Sequence, residues 1–169
     1  MLDKVQFSGP TNFNKVLKRV VDMATEEEVS QMNQHYWIML IITDGCIHDM
    51  DPTIDEIVRG SSLPLSIIIV GVGGADFSKM DILDADEVPL YSKKHKKYME
   101  RDIVQFVPFR DFKENPMALA RETLDEVPRQ LLSFMESKSI RPLPPKRKDI
   151  PRQLSIEQRG SKAFPENKC

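Results

Sequence analysis

Cysteine is scarce in this chain of 169 residues: Cys46 and Cys169 are the only two. Two thiols cannot build a disulfide framework or a four-thiolate zinc site. Cys46 follows an apolar run and Cys169 is the last residue, so a bridge between them is not expected, and the usage fits a reducing compartment. No apolar run approaches the roughly 20 residues of a membrane-spanning helix, and no signal-peptide pattern opens the sequence. An excess of charge of one sign is missing too. Lys plus Arg is 24 and Asp plus Glu is 26, a formal charge of -2. That balance removes the strongly basic face on which nucleic-acid binding rests, so no nucleic-acid partner is expected. Hydrophobic residues make up only 40%, which leaves part of the chain outside any core.

The charge that is present is unevenly placed. Residues 138–169 hold nine basic and three acidic residues, against 15 basic and 23 acidic in residues 1–137. The composition shifts at the same place, with few apolar residues and with Pro142, Pro144, Pro145, Pro151 and Pro165. Such a segment buries too little surface to offset its ordering entropy. The expected organisation is a folded part over 1–138 and a disordered, proline-rich basic tail over 139–169.

Within the folded part, Val16, Leu17, Val20, Val21 and Ala24 recur at helical spacing after Pro10-Thr11. Tyr36 to Ile42 is an unbroken apolar run ending at Thr43-Asp44-Gly45, which predicts a strand buried on both faces. A short helix is expected around Ile54, Ile57 and Val58, after Asp51-Pro52. Leu65 to Val72 is a second buried strand, stopped by Gly73-Gly74. A short helix at Ile82-Leu83 and a third strand from Ile103 to Val107 follow, with Pro108 favouring an end or edge position. Ala118 to Phe134 reads as helix, kinked or restarted at Pro128. Alternation of this kind predicts an α/β fold: parallel strands joined by right-handed crossovers. Binding sites in such sheets lie at the carboxyl ends of the strands, here Thr43 to Gly45 and Gly71 to Asp76. Three parallel strands also leave two edges, one of them very apolar. The chain is therefore expected to be a piece of something larger, or to pair with a partner.

The candidate residues each have an ordinary reading beside a chemical one. Thr11 caps a helix, Asp44 accepts backbone hydrogen bonds in a tight turn, and Asp51 caps the helix begun at Pro52. Gly71, Gly73 and Gly74 lack the third glycine or lysine of a phosphate-binding loop, so a tight turn is expected. Cys46 and His48 stand two apart without an orienting group, and no catalytic constellation emerges. Lys93, Lys94, Lys96, Lys97 and Arg101 form a basic cluster with two readings, a solvated loop or a contact for a partner or anionic lipid. In the tail, Pro142, Pro145 and Arg147 fit a polyproline ligand for an Src-homology-3 domain, although the pattern is common in unbound linkers. Lys146-Arg147-Lys148 could serve as a weak nuclear address.

Three segments carry a resemblance: Tyr36 to Asp44 (YWIMLIITD), Leu63 to Phe77 (LPLSIIIVGVGGADF) and Arg101 to Phe112 (RDIVQFVPFRDF), with Ser8-Gly9-Pro10-Thr11-Asn12 as a further match. Together they resemble the C-terminal von Willebrand factor A domain of the copines, over roughly residues 5–137. The resemblance implies a Rossmann-like open parallel sheet flanked by helices, of which this sequence holds only the C-terminal part. It also implies a non-enzymatic protein-interaction module. In the family, two calcium-dependent, lipid-docking C-two modules precede this domain and bring the protein from the cytoplasm to acidic phospholipid at the plasma membrane. Intracellular proteins are the implied partners. A metal-ion-dependent adhesion site is implied as well, able to hold Mg²⁺ or Ca²⁺, with Thr11 and Asp44 matching two of its ligands. The Asp-x-Ser-x-Ser run that supplies other ligands is absent here, as are the first three strands and both lipid-docking modules. Plant relatives act as ubiquitin ligases through a C-terminal RING, which this tail cannot build with one cysteine and no histidine. A shortened isoform without an autonomous fold is the remaining reading.

Overall fold

The computed structural model describes residues 10–85 and 88–144. Helix α1 spans Asn14–Glu26, strand β1 Trp37–Thr43, helix α2 Met50–Gly60, strand β2 Leu65–Gly71 and helix α3 Ser78–Asp84. A two-residue-per-arm hairpin follows, β3 at Tyr91–Ser92 and β4 at Lys97–Tyr98, then strand β5 at Val104–Pro108. A 3₁₀ turn, Phe109–Phe112, leads to helices α4 (Pro116–Leu124) and α5 (Val127–Ser137).

The sheet is parallel and three-stranded, in the order β1-β2-β5. β1 lies opposite β2 from Trp37 against Leu65 to Thr43 against Gly71. β5 takes the other edge of β2, with Ile67 opposite Val104 and Gly71 opposite Pro108. Pro108 has no N–H to give to a ladder, which suits the end of an edge strand.

The side chains alternate between two faces, and the faces differ. On the inner face Met39, Ile67, Ile69, Val104 and Phe106 form one buried cluster with Leu17, Val21, Ile57, Val58, Met80 and Leu83 from the three preceding helices. On the outer face Ile68 and Val70 of β2 pack with Val127 of α5 and with Phe109. All seven residues of β2 are therefore buried. β1 departs from its expectation. Met39 and Thr43 face inward and are buried, whereas Ile38, Leu40 and Ile42 are 53%, 55% and 66% exposed. An unbroken apolar run says that both faces of a strand can be covered. It does not say that the cover is present, and among the described residues nothing lies over that face of β1.

Other local readings also change. Thr11 is not the N-cap of α1. Phe13 holds that position without a side-chain cap, and the first N–H groups are satisfied from afar. Phe13 and Asn14 donate to the two carboxylate oxygens of Asp49, at 3.0 and 2.9 Å. Asp51 lies within the first turn of α2 rather than capping it, and pairs with Lys93. Val16, counted on the apolar face of α1, is exposed. At Pro128 the helix restarts rather than kinks: α4 ends at Leu124 and α5 begins at Val127. The packed chain runs on past Lys138, with Ile140 buried and the Arg141 backbone hydrogen-bonded to Gln31 and Gln34. Residues 145–169, most of the expected tail, lie outside the described residues, as do Pro145 and Arg147 of the polyproline pattern. Among the described residues no helix is long and apolar enough to cross a membrane.

Candidate functional site

The carboxyl ends of β1 and β2 meet three loops: Pro10 to Phe13, Asp44 to Asp49, and Val72 to Phe77. The first loop lies along the second. Thr11 forms an isolated parallel bridge with Ile47. His48 N–H donates to the Thr11 carbonyl at 3.0 Å, and Thr11 N–H donates to His48 Nδ1 at 3.2 Å. Gly45 leaves room for this arrangement. A Cβ added there would come within 2.7 Å of the Thr11 hydroxyl oxygen. Thr11 thus lies against Gly45, and Asp44, the residue before that glycine, is exposed.

The third loop is tied to the second. Cys46 Sγ donates to the Asp76 carbonyl at 2.9 Å, and Lys79 Nζ donates to the Ile47 carbonyl at 3.4 Å. Gly71 brings its backbone against an aromatic wall, where a Cβ would lie 2.9 Å from the Phe77 ring. Gly73 has a left-handed backbone, φ 86°, and its α-carbon and that of Gly74 face open space. Asp76 accepts from Ser78 N–H at 3.0 Å. That backbone hydrogen bond, the largest influence on it, holds its carboxyl below the usual carboxylate value. Cys46 and His48, two apart in the sequence, have different partners, the Asp76 carbonyl and Thr11.

The cation expected here demands more than the rim offers. Mg²⁺ and Ca²⁺ take six or more oxygen ligands. Thr11 and Asp44 contribute one hydroxyl and one carboxylate. Among the described residues no group of three or more His, Cys, Asp or Glu side chains is placed to hold a metal ion. Asp49, close in sequence, spends both oxygens on the N-terminus of α1. Among the described residues the Thr11 and Asp44 side chains supply fewer oxygen ligands than such a cation takes.

The basic cluster divides. Lys93, Lys94, Lys96 and Lys97 all lie on the β3–β4 hairpin and are exposed. Arg101 does not join them. Its guanidinium donates to the Leu63, Leu65 and Gln130 carbonyls and lies over the Phe134 ring at 5.3 Å. It is a tie between the sheet and α5, next to the Tyr36–Ser66–Gln130 hydrogen-bond chain. Two tyrosines that flank the turn belong with the lysines instead. The Tyr91 and Tyr98 rings meet across the hairpin with centroids 4.9 Å apart and planes tilted by 59°. The signal was present, a tyrosine on each side of a lysine-rich turn, but a hairpin this short has no periodicity to reveal it.

A family model described as Copine matches residues 1–143. Copine-D of Dictyostelium discoideum is 49% identical over 143 residues, which are 85% of this chain and 26% of that protein. Copine-A of the same organism is 51% identical over 143 residues, 85% of this chain and 23% of that protein. Copine-C is 48% identical over 145 residues, 86% of this chain and 26% of that protein. The chain spans about a quarter of the length of these curated relatives.

Proposed function

This chain belongs to the copine family, and we propose that it serves there as a non-enzymatic protein-interaction module of a calcium-dependent phospholipid-binding protein. In this reading the rim at the carboxyl end of the sheet contacts intracellular protein partners. The rest of a full-length copine brings that rim from the cytoplasm to acidic membranes in calcium-linked signalling.

The observation that carries the reading is the construction of the rim. Three loops distant in sequence are cross-tied by the Thr11–His48, Thr11–Ile47 and Cys46–Asp76 contacts. They present an exposed carboxylate, Asp44, and an open diglycine, Gly73-Gly74, on fixed backbone. A surface ordered before binding loses less entropy when a partner arrives. In this reading the contact is made by the rim itself.

The test is affinity capture from a cytosolic extract with the full chain, its Asp44→Ala variant and its Thr11→Ala variant, in Mg²⁺ and in chelator. Recovered proteins are quantified by mass spectrometry. The expected result is that Asp44→Ala, with an unchanged circular dichroism melt, loses a reproducible subset of the proteins that the wild-type chain recovers. Identical recovery by all three chains in both buffers would remove the rim from the interaction.

A further inference from the structure

The eight residues from Tyr91 to Tyr98 carry four lysines, a histidine and no acid. They fold as the β3–β4 hairpin, with Tyr91 opposite Tyr98 and Ser92 opposite Lys97. The hairpin is held firmly. Ser92 is buried, donates to Asp55 Oδ1 at 2.6 Å and accepts from His95 N–H at 2.9 Å, which pins the turn to α2. Lys96 closes the turn with a left-handed backbone, φ 52°. Every other side chain of the hairpin is exposed.

Its charge is only half answered from within. Lys93 pairs with Asp51 at 3.0 Å and Lys97 with Glu100 at 3.3 Å. Lys94 and Lys96 have no acidic partner among the described residues. The two paired tyrosines remain 44% and 62% exposed. Val88 and Ile82, both more than half exposed, line one depression with Tyr91, alongside Asp81 and Asp84.

We infer that this hairpin docks the protein on an anionic phospholipid bilayer. The lysines meet the head groups and the tyrosine pair lies at the polar–apolar boundary. Tyrosine is suited to that layer, having an apolar ring and a polar tip, and lysine reaches it on a flexible apolar stem. A bilayer fits better than an acidic peptide, because the charge lies on an exposed turn and not along a groove that could enclose a chain. The contact needs no calcium, since the positive charge is already in place. It goes beyond the rim reading and does not rest on Thr11 or Asp44.

The experiment is vesicle co-sedimentation of the full chain in chelator. One set of vesicles is phosphatidylcholine and the other a phosphatidylcholine–phosphatidylserine mixture, each at low and raised salt. The expected result is binding to the mixture alone, weakened by salt. Each exposed lysine near an anionic surface is worth about a fivefold change in partitioning, so Lys94→Gln with Lys96→Gln lowers it about 25-fold. Tyr91→Ser with Tyr98→Ser lowers it as well. The basic tail is a second cationic source, and Lys146→Gln with Arg147→Gln and Lys148→Gln separates it: this variant retains most of the binding. Lys94 and Lys96 make no packing contact that the fold requires, so their double variant keeps the wild-type thermal melt. The inference is overturned if the hairpin variants bind as wild type does. It is also overturned if the tail variant alone abolishes binding, or if immobilised polyglutamate captures the chain while vesicles do not.

Discussion

Strands β1 and β2 have the same length, are both uncharged and mostly apolar, and share a continuous register, yet they occupy different environments. β2 has a strand on each side, helices α1 to α3 on one face and α5 on the other, and every one of its residues is buried. β1 has a strand on one side and cover on one face, and it exposes three large aliphatic side chains on the other. Burial is thus a property of position in the sheet as much as of the strand's own residues. β1 carries no charge from Trp37 to Thr43, so it also lacks the lysines and prolines that commonly protect a sheet edge from pairing. A strand of this composition at an edge is suited to having a neighbour. That accords with a chain matching only about a quarter of its relatives' length.

The largest effect expected from this contrast lies in β2. Ile69→Ala removes a side chain that is 1% exposed on the inner face and should cost about 2–5 kcal/mol, read from urea denaturation of the full chain. Leu40→Ala in β1, about the same number of atoms removed, should cost well under half as much. Equal losses at the two positions would erase the distinction.

Adding an atom should sharpen the same contrast. The end of β2 has no room at Gly71, where a Cβ would lie 2.9 Å from the Phe77 ring and 3.1 Å from the Phe106 ring. Gly71→Ala should therefore destabilise by about 1–3 kcal/mol through forced displacement of those rings. A neutral result in the same denaturation assay would mean that the aromatic wall yields freely.

A smaller effect is expected on the helix that covers the inner face of β1. Asp49 supplies the cap that α1 lacks in its own sequence. Asp49→Ala should cost about 1 kcal/mol, as loss of a local cap does, whereas Asp49→Asn should retain part of the interaction. Matching losses for both variants would point to charge rather than hydrogen bonding as the source.

These cases show what could be read in advance. The three strands and their parallel order were legible, because long apolar runs and the punctuation at Asp44-Gly45 and Gly73-Gly74 are local signals. The exposed face of β1 was not legible, since a strand's residues do not state whether a covering element is there. The roles of Asp49 and Arg101 were not legible for another reason. Their partners lie 36 and 38 residues away in sequence, at Phe13 and Leu63, and only the fold brings them near. The Tyr91–Tyr98 pair depends on a turn of few residues, too short for any pattern to emerge. Thr11 is held against the second loop by a bridge to Ile47 and by a glycine that makes room, neither of which the sequence pattern names.

The smallest effect on stability is expected where the contrast is most visible. Leu40 sits mid-strand on the outer face of β1, more than half exposed. Leu40→Lys should leave the unfolding free energy within about 0.5 kcal/mol of wild type, the range of an ordinary surface substitution. Its consequence should be in association instead. A lysine in the middle of an uncharged edge opposes the pairing of one edge with another, so the variant should stay monomeric at concentrations where the wild-type chain forms larger species in sedimentation velocity. If Leu40→Lys instead unfolds the chain, the outer face of β1 is covered in the folded protein, and the difference between the two strands is one of degree. If the variant folds but associates like wild type, the apolar edge is not what the chains use to find each other.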